Sequence, residues 1–490
     1  MGPTATLPVH RLSDPAFAAL AAGRPDAATL DELRRSQLSK HLLLLRELVA
    51  AVPVPGYAEL VAAEREDPAG VRALLARPLV GVWATRCLSA LRAGRPPQAP
   101  LDYLATLAAV TRPAARQLTA THDGRSITVR IEDSDPLRAG LGLPPAPTLT
   151  TAELDRWQQL LTDAWRRLVE QLRPDAEVLA TVLDCIVPVV PDPAARGISA
   201  TSVDAFGAVA MSEPADATAL AVGLLHETQH SLLNAVQYLF DLHHQPDALG
   251  YSPWRDDPRP AAGILHGAYA YLTVTRFWRT RRADPLAAFE FARWRAAVLS
   301  AADGLLAGGT LTAAGTRFVT ALRAEVRSWL ADEVPAAVAR LATAANSDHY
   351  LRWRLRNRHV QPRDARLLAD AWTQGRPAPR VESPLRPAPR RALEASGRLD
   401  LIHATLRGEP APAGAADGDL AYVRGDAAAA LRAYRKRVGT DPGDDAAWTG
   451  LALSGAGGAL RDTPEVVAAV HRTLGDPAVD PLALADWLSS

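Results

Sequence analysis

The sequence predicts an α+β fold, mainly α-helical, with a small β-sheet packed beside a two-helix HExxH site and a helical segment at the C-terminal end. Three observations carry that prediction. Leucines and alanines recur at helical spacing through the first 120 residues and again beyond residue 214. Between these stretches lie short β-branched or apolar runs, at 126–131, 178–190 and 197–211. His226-Glu227-Thr228-Gln229-His230 then falls inside a long helical pattern.

Composition narrows the class of protein. The 490 residues allow two to four domain-sized units, and 48% of them are hydrophobic, enough for a large core. Lys+Arg and Asp+Glu both number 54, so net charge is zero, which speaks against bulk-charge binding to nucleic acid or to a membrane surface. Lysine occurs only at Lys40 and Lys436; with abundant Ala and Pro this is the coding bias of a GC-rich genome. Two cysteines, Cys87 and Cys185, build no disulfide framework and suit a reducing interior. The longest apolar stretch, 41–51, is broken by Arg46 and Glu47 and is too short to span a bilayer. The N-terminal residues carry no signal-peptide pattern, and Gly2 with Thr6 match the myristoylation pattern only loosely because of Pro3. The expectation is a cytoplasmic protein with no nucleic-acid or membrane partner.

Taken in order, 29–54 reads as a helix stopped by Pro53 and Pro55, with Asp31 and Glu32 near its start. Further helices are expected at 57–64, 71–76, 79–93 and 101–120. After the turn signal Asp123-Gly124 comes a strand at 126–131. Thr150 and Glu153 form a capping-box pattern opening a helix to about residue 172. Residues 178–190 are apolar and β-branched, and 197–211 offer two short strands joined near Val203-Asp204. Helices follow at 214–243, 259–282, 285–307, 312–345 and 363–372, then a Pro/Arg-rich linker or strap. Residues 418–454 resemble one tetratricopeptide unit running into the start of a second, expected to dock on the rest of the chain. The division drawn from these patterns is an N-terminal helical region (1–120), a metal-binding region (121–374), a linker or strap (375–415) and tetratricopeptide-like helices (416–490).

The chemistry concentrates in the HExxH. His226 and His230, at i and i+4, stand on one helix face and can aim imidazole nitrogens at one metal, with Glu227 beside it as base or anchor. Apolar residues lead up to the motif, while Asn234, Gln237 and Asp241 continue its face with polar groups. The third ligand of the usual zinc peptidases is missing: Leu233 and Val236 stand where a metzincin needs Gly and His, and no Glu occurs between Glu227 and Glu290. His266, flanked by Gly263 and Gly267, is the favoured third ligand, with Asp256 and Asp257 as competitors giving a two-His-one-carboxylate set. Arg255 and Arg259 are candidates to clamp a ligand carboxylate, which together with an open metal is the minimum equipment for a 2-oxo acid. Arg352 and Arg354 are reserve clamps. Ser199, Thr201 and Ser202, on or beside the short strands, are candidates to line the cavity, and Ser199, Ser202 and Tyr269 are the substrate-contact candidates. Two His and an open third position accept iron or zinc alike.

The segments HETQHSLLNAV, PWRDDPRP, ILHGAYAYLTVTRFW, LSKHLLLLREL and ISATSVDAFGAVAMS resemble the HExxH-motif proteins encoded beside ribosomal peptide maturation genes in actinobacteria. The resemblance runs from about residue 10 to the tetratricopeptide-like tail. It implies an iron(II)/2-oxoglutarate-dependent oxygenase, a peptide hydroxylase acting at Cβ of a residue in a ribosomally made precursor peptide, with O2 as co-substrate. Iron(II) is then held by His226, His230 and His266. Glu227 would orient a ligand rather than act as a base. The chain has no radical SAM cysteine cluster, so any such maturase is a separate partner. Two alternatives stand beside this expectation: a zinc metallopeptidase acting on the precursor with Glu227 as base, and a non-enzymatic peptide-binding scaffold.

Overall fold

The computed structural model describes residues 9–97, 99–109, 116–193, 195, 197–244, 248–386, 396–455 and 457–490. The chain divides into two compact units. The first comprises 1–244, 268–280 and 311–325, and the second 245–267, 281–310 and 326–490. Contacts therefore group the chain differently from composition: the 121–374 region contributes to both units, and the tetratricopeptide-like tail belongs with the second.

The first unit opens with six helices, α1 (Asp14–Ala21), α2 (Ala27–Ala51), α3 (Tyr57–Glu66), α4 (Pro68–Leu75), α5 (Pro78–Arg92) and α6 (Tyr103–Ala109). A hairpin of β1 (Gln117–His122) and β2 (Arg125–Ile131) follows. Then come α7 (Thr151–Gln171), α8 (Arg173–Val182), β3 (Cys185–Pro188), β4 (Ser199–Ala200), β5 (Ala208–Met211) and α9 (Ala217–Leu239). The unit is completed by the latter part of α10 (Ala261–Thr280) and, beyond α11 (Pro285–Ala307) of the second unit, by most of α12 (Ala313–Ser328).

The five strands form one mixed sheet in the order β1-β2-β3-β5-β4, parallel at β2/β3 and β3/β5 and antiparallel at both edges. Both faces of its centre are covered. Cys185, Val187, Ala208 and Ala210 join a core with α2 to α6, while Ile186, Val209 and Met211 join one with α7, α8 and α9. The period of two in each strand assigns alternate residues to alternate cores. Burial pushes the Cys185 thiol well above its usual range, in keeping with an inert core cysteine.

Three expectations are corrected here. The helix expected at 101–120 ends at Ala109 among the described residues, and 117–122 are the strand β1. Leu118 and Ala120 alternate inward, and Asp123 (φ 44°) with Gly124 (φ 70°) makes the left-handed pair of a tight hairpin turn. The 178–190 run is helical through Val182 and extended only over Cys185–Pro188. The 312–345 stretch is two helices, α12 and α13 (Ala336–Asn357), broken by a short 3-10 turn and by Pro335 at the second N-cap. The Thr150 capping box forms as expected. Residues 110–115 and 387–395 of the expected helix and strap lie outside the described residues.

The second unit adds α14 (Pro362–Thr373), α15 (Gly397–Arg407), α16 (Asp417–Arg424), α17 (Ala427–Thr440), α18 (Asp445–Leu453), α19 (Ala459–Asp462), α20 (Pro464–Leu474) and α21 (Pro481–Ser489). The repeat-like helices α16 to α18 wrap the buried ring of Tyr434. A Cβ at Gly418 or Gly450 would come within 2.7 Å or 2.3 Å of that ring, so both helices approach it only as glycine allows. Buried arginines staple this unit: Arg398 lies 3.3 Å from Asp348 and 3.2 Å from Asp419, and Arg354 grips Glu465 through two nitrogens. Among the described residues no single helix is long and apolar enough to cross a membrane.

One ion pair ties α8 to α10 in the first unit. Arg276 donates to Asp175 at 2.6 Å and to the carbonyls of Ala22 and Gly23 at 2.7 and 3.0 Å. Burial raises the Asp175 carboxyl above its usual range, with Arg276 pulling the other way. Arg276→Met leaves that carboxylate buried and uncompensated, and urea unfolding should register a loss of about 3–5 kcal/mol. A loss below about 1 kcal/mol would show the pair to be dispensable.

Candidate metal centre

The α9 helix follows β5 after a five-residue connection, capped by the Asp216 carboxylate, which accepts from Thr218 N at 2.7 Å and Ala219 N at 2.8 Å. The short connection seats the helix over the β5/β4 edge, and Leu220, Leu224 and Leu225 anchor it to the core shared with α7 and α8. His226 and His230, one turn apart, bring their Nε2 atoms to 3.1 Å. A first-row cation about 2.0–2.1 Å from each nitrogen would hold them about 2.9 Å apart at a right angle and about 3.4 Å apart at a tetrahedral one. The observed spacing lies between these limits, so the pair fits a single ion in either geometry. Burial holds the His226 imidazole below its usual pKa, against the opposing charge of Glu227. That favours the neutral lone pair a metal requires.

Glu227 is 2% exposed, and His226, Glu227 and His230 place one potential ligand atom each within 4.8 Å of one another. Its carboxylate is not idle. Ser199 Oγ donates to Oε1 at 2.7 Å, and Thr201 Oγ1 donates to Oε2. Residues 199 and 201 point the same way from an extended segment, so one strand end serves both carboxylate oxygens. Ser202 is out of phase; its hydroxyl instead accepts from Asp204 N at 3.3 Å and shapes the turn before β5.

The ring of Tyr271 meets His226 edge-on, with centroids 5.3 Å apart. Tyr269, the expected substrate contact, is corrected to a core residue: it is fully buried and donates to Leu20 O at 2.6 Å, and its ring packs on Phe318. Residues two apart on a helix face nearly opposite ways, so only one tyrosine of this pair can face the motif.

His266 and the arginine-rich turn belong to the second unit. Arg255 Nε donates to Asp257 Oδ1 at 2.9 Å and Arg259 Nη1 to Oδ2 at 3.2 Å. Burial works against the Asp257 charge, but the Arg255 hydrogen bond and the two guanidiniums hold its carboxyl below the usual range. Each Asp257 oxygen already accepts a hydrogen bond from an arginine, which counts against Asp257 as a metal ligand. Asp256 Oδ1 lies 3.7 Å from His349 Nε2. Arg255 Nη2 and Arg259 Nε are buried without a hydrogen-bond partner. Of the reserve clamps, Arg354 is consumed by Glu465, and Arg352 Nε donates to Asp348 at 3.1 Å.

The structure thus brings together His226, Glu227, His230, Ser199 and Thr201, and adds Tyr271, which the sequence did not single out. Compared with known proteins, the chain matches no family model, and no curated protein is detectably similar to it.

Removing either imidazole, as His226→Ala or His230→Ala, should abolish stoichiometric iron or zinc retention measured by elemental analysis. The double change Ser199→Ala/Thr201→Val keeps both imidazoles and frees Glu227, and should weaken metal affinity about 10–100-fold. Unchanged affinity in the double variant would mean that Glu227 does not support the site.

Proposed function

We propose that the protein is an iron(II)/2-oxoglutarate-dependent oxygenase that hydroxylates Cβ of a residue in a ribosomally made precursor peptide. The observation that carries this reading over hydrolysis is the state of Glu227. A peptidase needs that carboxylate free to take a proton from metal-bound water. Here both oxygens accept hydroxyl hydrogen bonds from the β4 edge, which suits an anchor that fixes the geometry of the ligand helix.

His226 and His230 would hold the iron, with His266 proposed as the third ligand. Iron(II) would supply the redox chemistry: O2 gives one oxygen atom to the substrate C–H and one to 2-oxoglutarate, which leaves as succinate and CO2. The remaining work falls to the chain. Arg255 Nη2 and Arg259 Nε are buried donors without partners, and a carboxylate of 2-oxoglutarate is a ligand that would satisfy them. Asp257, held by both arginines, fixes their planes beforehand. Tyr271 packs against His226 and limits its ring to one orientation.

Anaerobic titration of metal-free protein with iron(II) and 2-oxoglutarate tests the proposal. A weak visible charge-transfer band requiring both components is expected. No band, together with tight zinc retention, would sink the oxygenase in favour of precursor hydrolysis. Arg255→Gln and Arg259→Gln should each raise the 2-oxoglutarate concentration needed for the band about tenfold while leaving iron binding intact. If neither variant shifts the titration, this turn is not the keto-acid clamp.

A further inference from the structure

A second arginine cluster lies in the second unit, away in sequence from the residues named for the proposed iron chemistry. A cavity of about 380 Å³ lies between the C-terminal end of α13, the first turn of α14 and the side of α20 from Glu465 to Thr473, and its walls include Arg356, Arg358, His359, Arg386, Glu465 and Arg472. Glu465 contributes no free charge: Arg354 Nε and Nη2 donate to its two oxygens at 3.0 and 2.5 Å, and Ser383 Oγ donates at 2.7 Å. Of the four lining arginines, none is ion-paired with a carboxylate among the described residues. Arg358 Nη1 donates to Ser383 O at 2.9 Å, but its Nε is buried without a partner. Arg472 makes only a 3.4 Å contact to Pro442 O and feels Asp445 at longer range.

The helix ends do not account for this charge. The C-termini of α13 and α20 each offer about half a negative charge and the N-terminus of α14 about half a positive one, so together they balance about half of one of the four guanidiniums. We propose that the cavity binds a small polyanion carrying two or more phosphate or carboxylate groups. Arginine suits that ligand because its planar fork donates two parallel hydrogen bonds to either group. The volume falls at the small end of small-molecule sites. A single-stranded nucleic acid is disfavoured, since among the described residues the walls contain no Phe, Tyr or Trp on which bases could stack.

Calorimetry of the metal-free 490-residue chain with inorganic pyrophosphate and with citrate, in low-salt buffer without competing anions, tests the site. One-site binding by at least one probe is expected, weakened by added salt. The ratio of the two affinities distinguishes a phosphate ligand from a carboxylate one. Arg356→Gln and Arg386→Gln should each weaken binding about tenfold; among the described residues neither side chain makes a hydrogen bond, so folding should be spared. Arg92→Gln, an exposed arginine on α5 of the first unit, should change nothing. His226→Ala should also leave binding intact, which separates this site from chelation at the metal centre. Absence of binding at millimolar probe, equal loss in Arg92→Gln, loss in His226→Ala, or binding of an acidic hexapeptide alone would each overturn the proposal.

Discussion

The centre depends on one constraint: a buried carboxylate beside two imidazoles must have its hydrogen bonds met by the fold. Glu227 is forced inward because it stands one residue, about 100° of helix rotation, from His226. The β4 edge meets that demand. Its strand is only two residues long, paired to β5 through Ser199 with Met211 and Ala200 with Ala210, yet it positions both hydroxyls that hold Glu227. This gives the edge strand a purpose that its length alone would not suggest. Loss of either hydroxyl partner would leave a desolvated acid at the centre of α9.

Much of the frame was legible in the sequence, and the failures have identifiable causes. The α2, α5, α7 and α11 helices were bounded by prolines, a capping box and apolar periodicity, all local signals. The β5 strand also reads correctly as a short apolar segment, because a strand buried on both faces shows no alternation. The 178–190 run failed for the same reason: continuous apolar character does not separate a buried helix end from a buried strand. β1 was lost to helix because its hydrophobic residues are few and its identity comes from pairing with β2, a contact no local window contains.

The site shows the same division. His226, Glu227 and His230 could be read together because a helix fixes their relation through spacing alone. Ser199 and Thr201 were visible as neighbouring hydroxyls, but the choice between Thr201 and Ser202 follows strand phase, which the short run S-A-T-S does not reveal. The choice between Tyr269 and Tyr271 is likewise a question of helix face. Both faces of α10 carry aromatic residues, so amphipathicity gives no direction. The sequence marked the right neighbourhood and left the azimuth open.

Arginine was the least informative residue type in the sequence, since it replaces lysine almost everywhere. The structure gives it contrast. Where arginine is buried in this chain it is usually committed: Arg276 to Asp175, Arg354 to Glu465, and Arg398 to Asp348 and Asp419. These pairs satisfy the rule that a desolvated guanidinium needs a partner, and they stitch helices distant in sequence. Single buried guanidinium nitrogens without an acceptor occur on several arginines, Arg398 Nε among them, so what sets Arg255, Arg259 and Arg358 apart is that none has a carboxylate to itself among the described residues. Arg255 and Arg259 share one carboxylate between them and keep spare donors, while Arg358 borders a cavity whose one carboxylate is already spoken for. Proposed anion recognition at these arginines follows from the carboxylates the fold withholds from them, which composition could not reveal.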